Sequence, residues 1–196
     1  RSTLFPYTTL FRSRTGTYKA ALSDNANKTM GSWLNQKFSF NKATGKKITL
    51  TTEPTKNYPG DGAFTLVNGV QNEKGLGRSR EVLGWSGDDL EAIIDLGTNE
   101  TISSAVVHSL TSGGSWVYPP QYAELFVSAD GQTFTSVGKS ENFEKTTGSN
   151  GVIKLSFTPV STRYIKVLVK NMGKIPDDKP GAGNKPWLMV DEIEVN

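Results

Sequence analysis

Apolar and polar residues alternate along several short stretches of the chain, which is the pattern of half-buried β-strands. The clearest stretch is 90–96, in which every second position is apolar and the positions between them include two acids. Because the side chains of a strand point alternately to its two faces, this stretch turns one face to a core and the other to water. The apolar positions are Leu90, Ala92, Ile94 and Leu96.

Comparable strands recur about every ten residues and are bounded by Gly, Pro, Asn and Asp, which favour turns. Asp130-Gly131, followed by Phe134, indicates a hairpin turn. No stretch combines a sustained helical period with capping residues. The sequence therefore predicts an all-β fold, an antiparallel β-sandwich of about eight strands. Besides 90–96, the predicted strands are 17–22, 37–40, 46–53, 102–110, 123–127, 152–157, 163–170 and 187–195.

The chain divides into a small first part and a sandwich that we assign to residues 46–196. Residues 14–45 hold only two predicted strands, joined by the turn-rich connection SDNANKTMGSWLNQ. Two strands alone cannot bury a stable core. We interpret residues 14–45 as the C-terminal remnant of a small upstream β-domain, ending in the linker NKATGKK. Within the sandwich, the most polar and glycine-rich interruptions are 68–89 and 171–186.

The first thirteen residues, RSTLFPYTTLFRS, resemble the in-frame translation of a DNA sequencing adapter. We interpret residues 1–13 as a sequence artefact and exclude them from the interpretation of the fold, as a fusion scar would be. The alternative is a genuine aromatic N-terminal segment. On the first interpretation the true start of the protein lies upstream, so no export signal can be recognised.

Composition narrows the range of functions. The chain has no cysteine, which excludes disulfides, thiol catalysis and cysteine-based zinc sites. No apolar run reaches the roughly 18 residues of a membrane-spanning helix. Without Arg1 and Arg12, 20 basic residues face 19 acidic ones, and no basic stripe follows a phosphate backbone. Neither nucleic acid nor a membrane is therefore an expected partner.

The sequence shows no clear set of catalytic residues. The one histidine, His108, is in phase with the apolar positions of strand 102–110, which is typical of a structural residue. Adjacent acids on a strand point to opposite faces, so they do not form a catalytic pair. We interpret three such pairs as solvated surface charge. They are Asp88-Asp89, Asp177-Asp178 and Asp191-Glu192.

Aromatic residues at loops are more informative, because the apolar face of a sugar ring packs well on an aromatic ring and polar neighbours then select its hydroxyl pattern. Trp85, Trp116 and Tyr118 lie at or beside predicted loops. Trp187 does too, although its phase with Met189 also fits a core position. A tryptophan that merely fills the core or an edge is the alternative for each.

Several motifs in order resemble a known family. LVNGV, GWSGDDLEAIIDLG, SGGSWVYPPQYAELFVSADGQTF, RYIKV and PGAGNKPWLMVDEIEV are similar to coagulation factor 5/8 type C, or discoidin, domains. More narrowly, they resemble family 32 carbohydrate-binding modules appended to glycoside hydrolase family 20 β-hexosaminidases, especially those of Bacteroidetes. The resemblance covers residues 47–196. It implies a jelly-roll sandwich whose loops bind sugar and which tethers an upstream catalytic domain.

The resemblance also implies candidate site residues. Family members often hold a structural calcium ion, and the matching positions here are Asn68 and Glu192. Asn in place of Asp keeps an oxygen ligand but removes a charge. Related modules carry a Trp-His pair where this chain has Asp178-Lys179, so one aromatic platform is missing. The candidate carbohydrate-binding residues are Trp116, Tyr118, Trp85, Asn184 and Lys185.

We therefore expect a non-catalytic carbohydrate-binding module of a periplasmic, cell-surface or secreted glycoside hydrolase. Its expected partners are a glycan of the N-acetylhexosamine or galactose type and the catalytic domain of the same chain. A structural spacer without a ligand of its own is the alternative. Lipid binding is a third hypothesis, which requires exposed apolar loop tips beside basic residues. The residues that weakly match this pattern are Arg78 and Arg80 near Leu83 and Trp85.

Overall fold

The computed structural model describes residues 15–72, 75–76 and 80–196, and the segment 1–13 lies outside this part of the chain. The protein is built from antiparallel strands and two short 3₁₀ turns, Phe64–Val67 and Gly113–Ser115. The strands are β1 Gly16–Ser23, β2 Thr29–Phe38, β3 Lys47–Leu50, β4 Gly60–Ala63, β5 Leu83–Ser86, β6 Leu90–Leu110, β7 Tyr122–Ser128, β8 Thr135–Ser140, β9 Phe143–Lys145, β10 Asn150–Lys170 and β11 Trp187–Val195.

Two long strands, β6 and β10, organise the sandwich. They pair antiparallel over most of their length, with register shifts near their middles that let both strands bend. Before the bend, the first half of β6 also pairs with β3, and after the bend its second half pairs with β11. Each long strand therefore serves both layers. Strand order is β5-β11-β6-β10-β7-β8, with β3 beside β6 and β9 beside β10, which makes eight strands.

The core lies between the two layers and follows the predicted alternation. Leu90, Ala92, Ile94 and Leu96 are all fully buried. Ala105 and Val107 of the second half of β6 join the same cluster. A smaller apolar cluster, formed by Val82, Leu110, Val117 and Met189 with part-buried Leu76 and Trp187, packs apart from it. The prediction of an all-β sandwich of about eight strands is thus confirmed.

The structure changes some boundaries. The strands predicted at 90–96 and 102–110 are one strand, β6, and those at 152–157 and 163–170 are one strand, β10. The predicted long connection of the first hairpin is wrong as well, because β2 begins at Thr29. A tight turn suffices there, since the Asp24 carboxylate accepts hydrogen bonds from the backbone N–H groups of Ala26 and Lys28 at 2.9 and 2.8 Å.

Residues 41–47, predicted as a linker, pack as part of the sandwich. Ala43 is fully buried in the main core. The backbone N–H of Lys42 donates to the carbonyl of Val195 at 2.9 Å. In return, the side-chain oxygen of Asn41 accepts a hydrogen bond from the N–H of Val195 at 3.1 Å. The segment between the hairpin and β3 is therefore fixed along the C-terminal strand rather than free.

Candidate functional site

The loop after β6, residues 111–121, lies at one end of the sandwich and carries the aromatic candidates. Ser112 and Val117 form a β-bridge that closes the loop on itself, and Val117 also bridges to Trp187 at the start of β11. Trp116 accepts a hydrogen bond on its carbonyl from the N–H of Trp187 at 2.8 Å. The loop thus has a defined backbone held from both sides.

Trp116 has a left-handed backbone conformation, with φ 61° and ψ 22°. Among the described residues, only Asn27 shares a positive φ without being glycine. This conformation is unfavourable for a bulky side chain and persists only where surrounding contacts impose it. Such local strain is typical of binding sites, and here it fixes the direction in which the indole leaves the loop.

The indole of Trp116 lies against the backbone of Gly181, in the long loop 171–186 that precedes β11. A Cβ placed on Gly181 would lie 2.5 Å from the Trp116 Nε1 atom. One part of the ring is therefore covered, while 40% of the residue remains exposed. An exposed aromatic ring that is held in place on its other side can act as a rigid platform for an apolar ligand face.

Tyr118 has a different role from the one predicted. The residue is only 8% exposed, so its ring offers little surface to a ligand. Its hydroxyl donates to the carbonyl of Pro180 at 2.8 Å. This bond crosses from the loop after β6 to the residue before Gly181, and so it fixes the backbone on which Trp116 packs.

Trp85 is not available to a ligand, and its prediction as a carbohydrate-binding residue is wrong. It is 1% exposed and belongs to the main core. Its indole Nε1 donates to the carbonyl of Thr52 at 3.0 Å, so its one polar group is also satisfied. The boundary of β5, which ends after Trp85 at Ser86, explains the error: the residue is on a paired strand, not at a loop.

Asn184 and Lys185 lie in the same loop as Gly181, and both are exposed. The Asn184 side-chain amide donates to the carbonyl of Gly181 at 3.0 Å. The stem of Lys185 covers Gly87, where an added Cβ would lie 2.7 Å from the lysine Cδ atom. Asn184 and Lys185 therefore make packing contacts with the backbone of their surroundings. Their exposed polar groups lie in the loop 171–186, which also contains the Gly181 contact of Trp116.

Glu192 lies in the middle of β11 and is fully buried. Both carboxylate oxygens lie 3.2–3.3 Å from the backbone N–H of Gly69, and among the described residues no cation pairs with them. Burial raises the pKa of Glu192 to about 10, because the charged form loses its hydration. The neighbouring Asp191 is 3% exposed, and burial raises its pKa to about 6. The prediction of solvated charge at Asp191-Glu192 is therefore wrong.

The residues implied for calcium meet at this point. Asn68 directly precedes Gly69, the residue whose N–H contacts Glu192. The Asn68 side-chain oxygen accepts a hydrogen bond from the N–H of Val70 at 2.7 Å. Among the described residues, no three His, Cys, Asp or Glu side chains are grouped to hold a metal ion. A calcium ion would therefore depend on main-chain and amide oxygens in addition to Glu192. A buried carboxylate without a positive partner among the described residues is compatible with a hard cation, which prefers oxygen ligands.

His108 is part of a polar network rather than a catalytic pair. Its Nε2 atom lies 3.5 Å from the Glu194 carboxylate, and both side chains are 15% exposed. Gln71 donates to the same carboxylate at 3.1 Å. The hydrogen bond with His108 is the largest of the causes that lower the pKa of Glu194 to about 2. The prediction of a structural, part-solvated histidine agrees with this position.

The weak signal for lipid binding finds no support in the described residues. Leu83 and Trp85 are buried in the core and cannot form an exposed apolar tip. Arg80 lies 3.4 Å from the carboxylate of Asp61, and Arg78 lies outside the described residues. Across the described part of the chain, the structure contains no helix long and apolar enough to cross a membrane.

Comparison with known proteins identifies the family. The model of the F5/8 type C domain matches residues 48–193, which is most of the chain. The protein belongs to the F5/8 type C domain family. A comparison with curated proteins gives no match.

Solved structures share the fold of this F5/8 type C domain. A family 32 carbohydrate-binding module from Clostridium perfringens, in complex with GalNAc-β-1,3-galactose, has 17% identity and a TM-score of 0.50, covering 76% of this chain and 93% of its own. The lectin domain of lectinolysin, complexed with Lewis B antigen, has 17% identity and a TM-score of 0.52, covering 80% and 95%. Both are binding modules rather than catalytic domains, and at this identity the likeness is one of fold.

Proposed function

We propose that this F5/8 type C domain is a non-catalytic carbohydrate-binding module whose principal contact is the exposed face of Trp116. The observation that carries the proposal is the indole itself: a large aromatic group, 40% exposed, in a strained loop and packed on Gly181. A sugar presents an apolar C–H face to such a ring, and its hydroxyls need polar partners at the edge. Asn184 and Lys185 are exposed on the adjoining loop and can provide them.

The sugar class follows from the resemblance and is supported by the C. perfringens neighbour, which is bound to a GalNAc-galactose disaccharide. We propose an N-acetylhexosamine- or galactose-type glycan. With Trp85 and Tyr118 buried, one aromatic platform remains among the candidates, so we expect a single site to bind sugar weakly.

Weak binding is useful when the module is tethered. A module that holds its glycan keeps a linked enzyme at high effective concentration near that polymer. We propose that the linked enzyme is an upstream glycoside hydrolase of the β-N-acetylhexosaminidase type, acting outside the cytoplasm. In this arrangement the domain supplies binding and position, and its own residues carry out no bond cleavage.

Calorimetric titration with N-acetylgalactosamine, galactose and chitobiose tests the module. Trp116→Ala is expected to abolish the heat of binding, while Trp116→Tyr retains part of it because an aromatic face remains. Trp33→Ala is the matched control, because Trp33 is 56% exposed but belongs to β2 of the hairpin. Equal affinity of the Trp116→Ala variant and the unchanged protein would refute the assignment of the platform.

A structural spacer is the second candidate, and the packing of residues 41–47 favours it. The hydrogen bonds of Asn41 and Lys42 to Val195 fix the base of the hairpin to the sandwich. A spacer should hold the hairpin rigidly, whereas a flexible tether should not. NMR relaxation of the intact chain distinguishes them: equal tumbling of residues 16–38 and of the sandwich supports a spacer, and faster hairpin motion supports a tether.

We also propose that the domain holds a structural calcium ion. Glu192 would supply a carboxylate, and Asn68 and neighbouring main-chain carbonyls would supply neutral oxygens. When bound, the ion neutralises a buried carboxylate and ties the loop of Asn68 to β11. Its contribution is to stability of the fold rather than to chemistry at Trp116.

A further inference from the structure

A second concave surface lies on the outer side of the sandwich layer that contains β11, the second half of β6 and the start of β10. It is a cleft of about 700 Å³, within the range of roughly 300–1,000 Å³ that is typical of ligand pockets. The turn 146–149 between β9 and β10 forms one wall, and Gln71 and Lys37 contribute to the other side. Its lining also includes His108, Asn150 and Asp191.

Asn150 supplies the observation that points to a ligand. Its side-chain nitrogen donates to the carbonyl of Asn72 at 2.9 Å, which fixes the amide. The side-chain oxygen, in contrast, is buried and has no hydrogen-bond partner in the described part of the chain. Buried polar atoms are nearly always satisfied in native proteins, and the exceptions call for an explanation. Because Asn150 lines the cleft, a ligand hydroxyl that donates to this oxygen needs only a small movement of the side chains that now cover it.

Other lining groups are held in place before any ligand arrives. The Asp191 carboxylate accepts a hydrogen bond from the N–H of Asn72 at 2.7 Å. Gln71 is held by its bond to Glu194. The turn is fixed too, since the carbonyl of Ser149 accepts from the N–H of Thr111 at 2.6 Å. A preformed set of polar groups loses little freedom when a ligand binds.

The described lining residues of the cleft are balanced in charge, which favours a neutral ligand. Lys37 and Asp191 have opposite charges, and none of the other described lining residues is a Lys, Arg, Asp or Glu. The hydroxyls of Thr146, Thr147 and Ser149 add groups that both donate and accept hydrogen bonds. A phosphate-rich polymer would need several cations here, whereas an uncharged molecule with many hydroxyls matches the mixture.

We propose that this cleft is a second binding site, for an uncharged, polyhydroxylated ligand of the size of one or two sugar rings. The site is distinct from the proposed platform, because Trp116, Gly181 and Asn184 do not line it. Its described lining contains no Trp, Tyr or Phe, so hydrogen bonds rather than aromatic stacking provide the recognition. The proposal does not depend on sugar binding at Trp116.

NMR titration of the intact chain tests the proposal, with galactose, N-acetylgalactosamine and chitobiose as probes. At least one sugar is expected to shift the amide resonances of Gln71 and of residues 147–152 in a saturable way. Asn150→Ala should weaken this response about tenfold, as expected for the loss of one hydrogen bond. Trp116→Ala should leave it unchanged, which separates failure of the platform from failure of the cleft.

A surface substitution guards against a folding defect in Asn150→Ala. Thr147 is exposed at the rim of the cleft, so Thr147→Trp should block entry and abolish the shifts while the fold is kept. Thr133→Trp is the matched control, an exposed threonine in the turn between β7 and β8 that does not line the cleft. The proposal is overturned if none of the sugars shifts residues 147–152, or if the shifts persist in Thr147→Trp.

Discussion

The indole of Trp116 rests on the backbone of Gly181, so closely that a Cβ on residue 181 would lie 2.5 Å from Nε1. Real side-chain carbons do not approach that near, so the packing requires glycine. Gly181 also has a φ of +83°, a conformation that glycine adopts without strain. Two loops that are distant in sequence are thus adapted to each other at the proposed sugar platform.

The first prediction follows from this contact. Gly181→Ala should displace the Trp116 ring and weaken sugar binding by about tenfold, and it should lower stability by about 1 kcal/mol because of the positive φ. Titration calorimetry and thermal unfolding measure the two effects. Gly173→Ala is the matched control: its φ is +80°, but an added Cβ there has open space. If both variants bind sugar with unchanged affinity, the Trp116–Gly181 packing does not determine the platform.

A second prediction concerns the hydroxyl of Tyr118. Tyr118→Phe keeps the ring but removes the hydrogen bond to Pro180, which should cost about 0.5–1.5 kcal/mol in the free energy of unfolding. Because the bond fixes the loop beneath Trp116, sugar affinity should also fall. Tyr122→Phe serves as the control, since the Tyr122 hydroxyl makes no hydrogen bond within the described residues. Equal losses of stability in the two variants would contradict the role of the bond.

The alternation of apolar and polar residues predicted the sandwich well, because the buried positions of each strand can be recognised from that strand's own sequence. Leu90, Ala92, Ile94 and Leu96 show this most directly, and all four are buried. The same pattern could not show that 90–96 and 102–110 are one strand. The intervening residues are polar and read as a turn, yet they continue β6 around the edge of the sandwich.

The candidate site was harder to predict from the sequence, because the exposure of a side chain depends on contacts between distant segments. Trp85 and Trp116 both follow glycine-rich stretches, but pairing with Leu188 on β11 buries the first. Nothing local to Tyr118 indicates that its hydroxyl meets Pro180, 62 residues away. The cleft around Asn150 likewise joins residues from five separate segments. In the sequence, the indication of close packing at residue 181 is the small-residue stretch PGAGN, residues 180–184, in which Gly181 precedes Ala182.

A third prediction concerns acid stability and the ion pair between Asp95 and Arg163. The guanidinium binds both carboxylate oxygens, at 2.8 and 2.9 Å. The hydrogen bond from Arg163 is the main cause that lowers the pKa of Asp95 to about 2. A carboxyl group with a lowered folded-state pKa stabilises the fold above its unfolded pKa of 3.8, and this stabilisation is lost as pH falls towards 2.

Asp95→Asn should therefore lower the free energy of unfolding near neutral pH by about 1 kcal/mol or less, since solvent screens a part-exposed pair. The difference from the unchanged protein should shrink as pH falls from about 4 to about 2. Urea unfolding at a series of pH values gives both quantities. Asp178→Asn is the control, because Asp178 is exposed and, in the described part of the chain, its ion pair is with its neighbour Lys179. A difference that does not change over this pH range would contradict the assignment.

The last prediction tests the calcium proposal through Glu192. Its carboxylate is fully buried, with the N–H of Gly69 beside it and no cation partner in the described part of the chain. An ion that binds only the folded state stabilises it according to its concentration and Kd. Calcium at about 100 times its Kd should therefore raise the free energy of unfolding by about 2.7 kcal/mol. Magnesium should do less, because it demands a more regular shell of ligands.

Glu192→Gln separates a metal ligand from a merely buried acid. Gln keeps the shape but cannot supply the charge, so calcium should no longer raise the melting temperature of this variant. In the presence of a chelator, the variant should be at least as stable as the unchanged protein, because an unpaired buried carboxyl group has been replaced by a neutral amide. Glu141→Gln, at an exposed position, should respond to calcium as the unchanged protein does. An equal calcium response in the Glu192→Gln variant would show that any bound ion lies elsewhere.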